Sequence, residues 1–320
     1  MLSHEAVEQL PPRRRQRQGG SSLQRERRLW GWIFLSPWVI GFVVFTAAPI
    51  IAALVFSFTN FNLVNVDDFR FIGLSNFERL ITNPLHKVSL GVTFKYFLMA
   101  LPLAIVLPVV LAALLNSPYL AGKRLFRTLF YMPYVVPVVS AIFIWGGVLN
   151  SESGWLNRVL GLLGVAGPNW LDDVRWIYPA LLIIGLWGLG NAYLITLASM
   201  QAVPTAYYEA ARVDGASGLR RFWHITIPMI SPVIFFNTVL AVIGLLRYFE
   251  IPFILSNGTG SPGDSTMFFN VHFYKMAFVF FDMGYASALA WLMFAITLVF
   301  TVILFWSARY WVYYASEDQS

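Results

Sequence analysis

The sequence predicts an all-α, polytopic membrane protein, a helical bundle of about six spans. Three observations carry this reading. Charged residues make up 12% of the 320 and hydrophobic ones 58%, with a mean hydropathy of +0.65, whereas a soluble domain carries about 25% charged residues. Apolar runs recur at lengths near or above the roughly 20 residues that a helix needs to cross a bilayer. The polar stretches between them alternate in Lys and Arg content, as loops on opposite faces of a membrane do. There is no Cys, so the chain has no disulfides, thiol catalysis or thiolate metal sites.

Residues 1–29 form an Arg-rich tail, with Arg13, Arg14, Arg15, Arg17, Arg25, Arg27 and Arg28 all ahead of the first apolar run. Its composition is that of a disordered segment that sets topology and touches anionic lipid, rather than a nucleic-acid arm. The run that follows is longer than a signal-peptide core and has no small-residue cleavage site. The membrane domain is expected over 30–310, with spans near 30–58, 88–116, 128–149, 177–199, 229–251 and 285–308. A short tail, 311–320, closes the chain.

Counting Lys and Arg gives the sides. The N-terminal seven, Lys123, Arg124 and Arg127, then Arg212, Arg220 and Arg221, and finally Arg309 place fourteen on one face. Arg70, Arg79, Lys87, Arg158, Arg175 and Lys275 place six on the other. The positive-inside rule makes the first face cytoplasmic, both termini included. The outer loops, 59–87, 150–176 and 252–284, are expected to close the outer mouth. Trp155, Trp170, Trp176 and Tyr178 read as an interfacial belt. Prolines 37, 49, 102, 108, 133, 137 and 232 fall within spans and favour kinks or breaks, which are tolerated where they face protein or a water-filled cavity.

The segment between the fourth and fifth spans is the most informative. Residues 207–228, YYEAARVDGASGLRRFWHITIP, are polar and charged between two long apolar runs. Thr205 reads as an N-cap, a first helix runs to about Asp214, and Gly215 supplies the positive φ that ends it. Ser217 can cap a second helix to about Ile225, with Pro228 opening the fifth span. Ala210 and Ala211 leave a face without bulk, and Glu209 offers a charge to a basic partner.

Glu209-Ala210-Ala211, Gly215 four residues on, then Ile225, Ile227 and Pro228 closely resemble the EAA loop of permease subunits in ATP-binding-cassette (ABC) importers. Ile227 stands where that pattern has Leu. The resemblance extends over about Ile33 to Tyr310 and is nearest to the carbohydrate branch, the maltose and glycerol-3-phosphate type. It is carried by FIGLSNFERL at 71–80, KRLFRTLFYMPYVVP at 123–137, GWLNRVLGLLG at 154–164, NWLDD at 169–173 and MGYASALAWLMF at 283–294. One segment departs: at 252–266 the family has a T-G-G-G-P-like turn, whereas Gly258, Gly260 and Pro262 are spaced out here.

The resemblance implies a binding-protein-dependent importer of a sugar or oligosaccharide, or of a sugar or glycerol phosphate. Its parts would be a second homologous permease, two ABC ATPase subunits and an extracytoplasmic solute-binding protein, set in the lipid bilayer of a prokaryotic plasma (inner) membrane. Glu209, Ala210, Ala211, Asp214, Gly215, Ile225 and Pro228 would form the ATPase-coupling loop. The chain itself is expected to be non-catalytic and to bind no cofactor, with ATP and magnesium on the partner ATPases. In keeping with this, it has no G-x-x-x-x-G-K-[ST] stretch; Gly122-Lys123-Arg124 comes nearest.

Substrate-pathway candidates are Arg247, Tyr248, Phe249 and Glu250, with Asn237 and Lys95. Ionisable groups at membrane depth are costly and face a cavity, the bundle interior or one another. Arg247 and Glu250 therefore read either as an intrahelical pair or as ligands of substrate hydroxyls, with Tyr248 or Phe249 stacking on a sugar face. Lys95 either snorkels to the headgroups or lines the pathway, and Asn237 either bonds a neighbouring helix or does the same. The alternative class, an ion-coupled secondary transporter, would want carboxylates in mid-membrane, and no span has a central Asp or Glu. A membrane enzyme would want a His/Asp/Glu cluster or a nucleophile motif, and His4, His86, His224 and His272 are scattered along the sequence.

Overall fold

A computed structural model describes residues 20–314, with side chains from Gln24 on. The expectations for residues 1–19 and 315–320 lie outside the described residues. Among the described residues the fold is helical throughout, joined by turns and two isolated β-bridges, Thr59 with Phe71 and Asn62 with Asp282. The chain divides into two units, 1–53 and 54–320.

The first unit holds α1 (Gly20–Phe42), a π-helical turn at Val43–Ala47 and most of α2 (Ala48–Phe56). Helix α1 begins at Gly20, so the later part of the Arg-rich segment, expected to be disordered, is helical. The π-turn has a sequence cause. A proline ring clashes with the carbonyl four residues back, and Pro49 follows Val43–Ala47 at the spacing at which Pro228 follows a second π-turn, Phe222–Thr226. In both, the wider turn relieves the crowding without breaking the helix.

The second unit contains α3 (Ser75–Thr82), α4 (Pro84–Asn116), α5 (Lys123–Val135), α6 (Val138–Val148), α7 (Trp155–Leu162), α8 (Ile177–Trp187), α9 (Gly190–Ala202), α10 (Thr205–Val213), α11 (Gly218–Arg221), α12 (Ile227–Leu246), α13 (Glu250–Leu255), α14 (Phe269–Tyr274) and α15 (Met283–Trp311). Four helical stretches are long and apolar enough to span: Gln24–Phe56, Pro84–Asn116, Gly218–Leu255 and Met283–Trp311. Two bent pairs bring the number to six. The expected third span is broken between α5 and α6, which meet at 105° at Pro137, and the fourth between α8 and α9, at 51° at Gly188–Leu189. Of the span prolines, Pro137 makes the sharp break; Pro37, Pro102, Pro108, Pro133 and Pro232 are carried inside helices.

Helix α4 is the spine. It packs on α9 and α12, and α12 in turn packs on α15. Lipid is as apolar as leucine, so these helices are held by close fit and by hydrogen bonds rather than by exclusion of water. Gly190 shows the fit: a Cβ there would meet Tyr134 Cβ at 2.9 Å and the Phe130 carbonyl at 3.1 Å, so only glycine lets α9 come this close to α5. Asn237 on α12 shows the bonds, its amide donating to Thr196 Oγ1 at 3.1 Å and to the Ala192 carbonyl at 3.3 Å on α9.

The stretch 252–284, expected as an outer loop, is folded into the body. Met267, Phe268, Phe269, Val271 and His272 are fully buried, and the Phe269 amide donates to Thr93 Oγ1 on α4 at 2.8 Å. Trp170 and Tyr178, expected in an interfacial belt, are buried too. Trp170 donates to Asn157 Oδ1 at 2.7 Å, and the Asn157 amide donates to the Ser151 and Pro168 carbonyls, so GWLNR and NWLDD lock one another. The segment FIGLSNFERL acts similarly. Buried Asn76 donates to the Ser57 and Thr59 carbonyls, and Arg79 pairs with Asp282 at 2.9 Å while lying over the Tyr285 ring.

The fold also brings together two histidines far apart in sequence. His86 and His272 are both buried, their rings 6.3 Å apart, with Tyr285 on the other side of His272. Burial, then His86, then Lys275 push the His272 imidazole down to about pH 4. It is therefore neutral at pH 7 and contributes no pH dependence above about 6.5. Below that the unfolded chain takes a proton that the folded one refuses, so stability falls as pH drops from about 6.5 towards 4, by about 1.4 kcal/mol per unit. Thermal unfolding of detergent-purified protein against pH should show this loss, with a shallower slope in His272→Phe. A Cβ on Gly284 would lie 2.2 Å from the Thr59 carbonyl oxygen. Gly284→Ala should therefore cost about 1–3 kcal/mol by overpacking, lowering the same unfolding temperature, whereas an unchanged temperature would mean that this contact yields.

Candidate functional site

Two sites emerge, an exposed loop at one end of α12 and a cavity at the other. In the loop, α10 starts at Thr205 itself, with Pro204 before it and no side-chain cap, so Thr205 is not the expected N-cap. The helix ends in a left-handed turn at Gly215, φ 74°. The Ala216 amide donates to the Ala211 carbonyl at 2.8 Å and the Gly215 amide to the Arg212 carbonyl at 3.1 Å. This pair of bonds is the Schellman closure. Ser217 Oγ then accepts from the Arg220 amide at 3.3 Å.

The second half of the loop differs from the expected separate helix. Helix α11, the π-turn and α12 run on into one another, so Gly218 to Leu246 is one rod, roughly 40 Å long at 1.5 Å per residue. Pro228 lies within this rod rather than opening it. The loop is tied down by Tyr208, whose hydroxyl bonds Thr226 Oγ1 at 2.9 Å, and by Ile225 and Phe222, which pack with Tyr193, Leu197, Met200 and Ile230. Ile225 is thus an internal anchor. Glu209, Ala210, Asp214 and Gly215 are exposed and Ala211 half-buried, and no described residue forms an ion pair with Glu209. Around them Tyr207, Val213, Leu219 and Trp223 present large apolar side chains outward, Val213 at 88% exposure.

At the far end the rod stops. Helix α12 ends at Leu246, Arg247 and Phe249 leave helical geometry, and α13 restarts at Glu250. This discontinuity forms one wall of a cavity of about 900 Å³. Of the candidate pathway residues, Arg247, Tyr248, Phe249 and Glu250 line it; Asn237 and Lys95 do not. Asn237 is committed to α9, and the Lys95 ammonium sits over the Tyr178 ring at 4.1 Å. The fold adds Asn270, Phe273 and Tyr274 from the 252–284 segment and Met293, Phe294 and Thr297 from α15. These were invisible in sequence because one group lies in a stretch that reads as loop and the other on an evenly apolar helix. A second cavity, about 530 Å³, gathers the breaks themselves: Pro133–Val138, Ile184–Gly188, and Tyr248 with Ile251. Tyr248 is shared by both cavities.

Residues 42–312 match the family described as the binding-protein-dependent transport system inner membrane component. The chain belongs to this family. Curated relatives cover almost all of it. YesP of Bacillus subtilis, named as an ABC transporter permease protein, is 36% identical over 92% of this chain and 95% of its own. The lactose transport system permease protein LacF of Rhizobium radiobacter is 31% identical over 90% and 97%. The sulfoquinovosyl glycerol transport system permease protein SmoG of Agrobacterium fabrum is 30% identical over 86% and 89%. Among solved structures, a chain of a bacterial alginate ABC transporter, crystallised with an alginate-pentasaccharide-bound periplasmic protein, shares the fold with a TM-score of 0.77 at 20% identity, over 92% of this chain and 98% of that one. The permease is therefore a multi-pass membrane component of an ABC transport system.

Gly215 gives a local check on the loop. A β-branched residue at φ 74° is strained by about 1–2 kcal/mol, whereas Asn visits this region readily. Gly215→Val should fray the end of α10, seen as faster amide exchange at Gly215's neighbours Asp214 and Ala216, while Gly215→Asn keeps most of the protection. Equal protection in all three proteins would mean that the closure is not what orders the loop.

Proposed function

We propose that this permease forms half of the translocation pathway of an ABC importer for a sugar or oligosaccharide, and that the 205–217 loop is the handle by which separate ATPases drive it. The observation that carries the reading is the fusion of that loop to the rod ending at the cavity wall. A partner that grips α10 and moves it moves Gly218–Leu246 with it, because the Schellman turn, the Ser217 cap and the Tyr208–Thr226 bond leave little slack between them. The exposed apolar side chains of Tyr207, Val213, Leu219 and Trp223, on the same loop as Glu209, which forms no ion pair with a described residue, support a protein contact here.

In this assembly a second, homologous permease completes the channel, two ATPase subunits bind ATP and magnesium on the cytoplasmic side, and a solute-binding protein delivers cargo outside. Both termini and the 205–217 loop lie on the cytoplasmic side in this reading, which the Lys and Arg distribution supports. The sugar reading is supported by the names of the relatives, and by a cavity with aromatic faces from Phe249, Phe273 and Tyr274 beside the polar groups of Asn270 and Thr297. Nucleotide-driven closure of the ATPases would transmit through α10 to α12 and shift the break at Arg247–Phe249, changing the side on which the cavity opens.

Glu209→Lys reverses an exposed charge on α10 without touching the core. Uptake by the assembled transporter should fall to background, at unchanged membrane abundance of the permease, and the ATPase subunits should no longer co-purify. Full uptake with the variant would sink the coupling role.

A further inference from the structure

The larger cavity is lined by one cation, Arg247, and one anion, Glu250, and the two do not pair. The ion pairs among the described residues are Arg70–Asp68 and Arg79–Asp282. The reason is the break in the helix. On an unbroken helix residues three apart share a face, but Arg247 (φ −98°, ψ 16°) and Phe249 (φ −142°, ψ −57°) turn the backbone out of register before Glu250 starts α13. The guanidinium also makes no hydrogen bond to a described residue. Two other basic groups on this side are engaged: Lys95 lies over Tyr178, and Arg79 is held by Asp282 and Tyr285.

Arg247 lies exposed on the cavity wall at the end of α12, in one lining with Ile243, Met293 and Phe294, and no described residue matches its charge. Sugar hydroxyls satisfy hydrogen bonds and leave the charge. A carboxylate does both, and its two oxygens match the guanidinium fork. We propose that the cavity is selective for an acidic saccharide, one bearing a carboxylate, with Arg247 binding the carboxylate and Glu250 accepting hydrogen bonds from ring hydroxyls. The rings of Phe249 and Tyr274, 5.3 Å apart, are placed to contact the apolar sugar face. This assignment rests on the reading of the chain as a sugar permease and narrows its substrate class.

The test is a matched pair of disaccharides, cellobiose and cellobiouronate, which differ by one CH2OH in place of one carboxylate. Both are titrated into the purified transporter complex in nanodiscs, without binding protein, so that only the membrane cavity is read. The uronate should bind at least tenfold more tightly than cellobiose. Arg247→Gln should abolish that difference, and Arg247→Lys, which keeps the charge without the fork, should restore part of it. Equal binding of the two sugars, no binding of the uronate, or a preference that survives Arg247→Gln each overturns the proposal. Matching unfolding temperatures for the variants and the parent separate a lost contact from a lost fold. None of these results bears on the coupling role of the 205–217 loop, which the Glu209→Lys variant tests separately.

Discussion

The unbroken helix from Gly218 to Leu246 is the constraint from which the rest of the structure follows. In lipid the backbone has no water to bond, so a span must satisfy its own amides and carbonyls, and the cheapest way is to stay helical. Pro228 threatens that continuity by removing a donor and crowding the His224 carbonyl. The π-turn at Phe222–Thr226 absorbs the crowding, and the rod survives. An exposed loop and a cavity about 40 Å apart are thereby joined by an element with little compliance along its length.

Where continuity is given up, it is given up in one region. The α5–α6 break at Pro137, the α8–α9 break at Gly188 and the α12–α13 break at Tyr248 all border the smaller cavity, and the last also borders the larger one. Non-helical backbone at membrane depth is tolerated where it is buried in protein or lines an aqueous space. Breaks that meet at cavities satisfy this rule and leave lipid-facing surfaces intact. Glycine serves a different purpose here. Gly190 and Gly284 let backbone approach backbone, at α5 and at the Ser57–Thr59 segment, so the broken spans are held by contact rather than by the hydrogen bonds that they have lost.

Much of this was legible in the chain. Composition and run length give the membrane class, and Glu209, Ala210, Ala211 and Gly215 locate the exposed loop at fixed spacing. Pattern reading stops where a residue's role depends on a distant partner. His86 and His272 look scattered until α14 folds back against α4. Trp170 looks like a belt residue until Asn157, thirteen positions earlier, takes its indole N–H. Asn237 and Arg247 are both polar residues on one helix, and nothing local shows that the first is spent on α9 while the second is left free. The 252–284 segment defeats composition entirely. Its Gly, Pro and Ser content reads as an exposed loop, yet Thr266, Phe268 and Phe269 are fully buried, because the turn bonds its own polar atoms before it enters the core.

The two ends of the rod therefore differ in kind. At the loop end, charge and apolar surface point outward and are idle within this chain, which suits the proposed contact with another polypeptide. At the cavity end, Arg247 and Glu250 line an opening of about 900 Å³ and are idle towards each other, which suits the proposed ligand. A chain that stores unpaired groups at both ends of one stiff element, and few elsewhere along it, has the form of a transmission: what grips one end changes the geometry presented at the other. Reciprocity then follows. If motion of α10 alters how Arg247 and Glu250 face the cavity, occupancy of the cavity must alter, by the same coupling free energy, how readily α10 moves. A loaded permease and an empty one would then present different handles to the same ATPase.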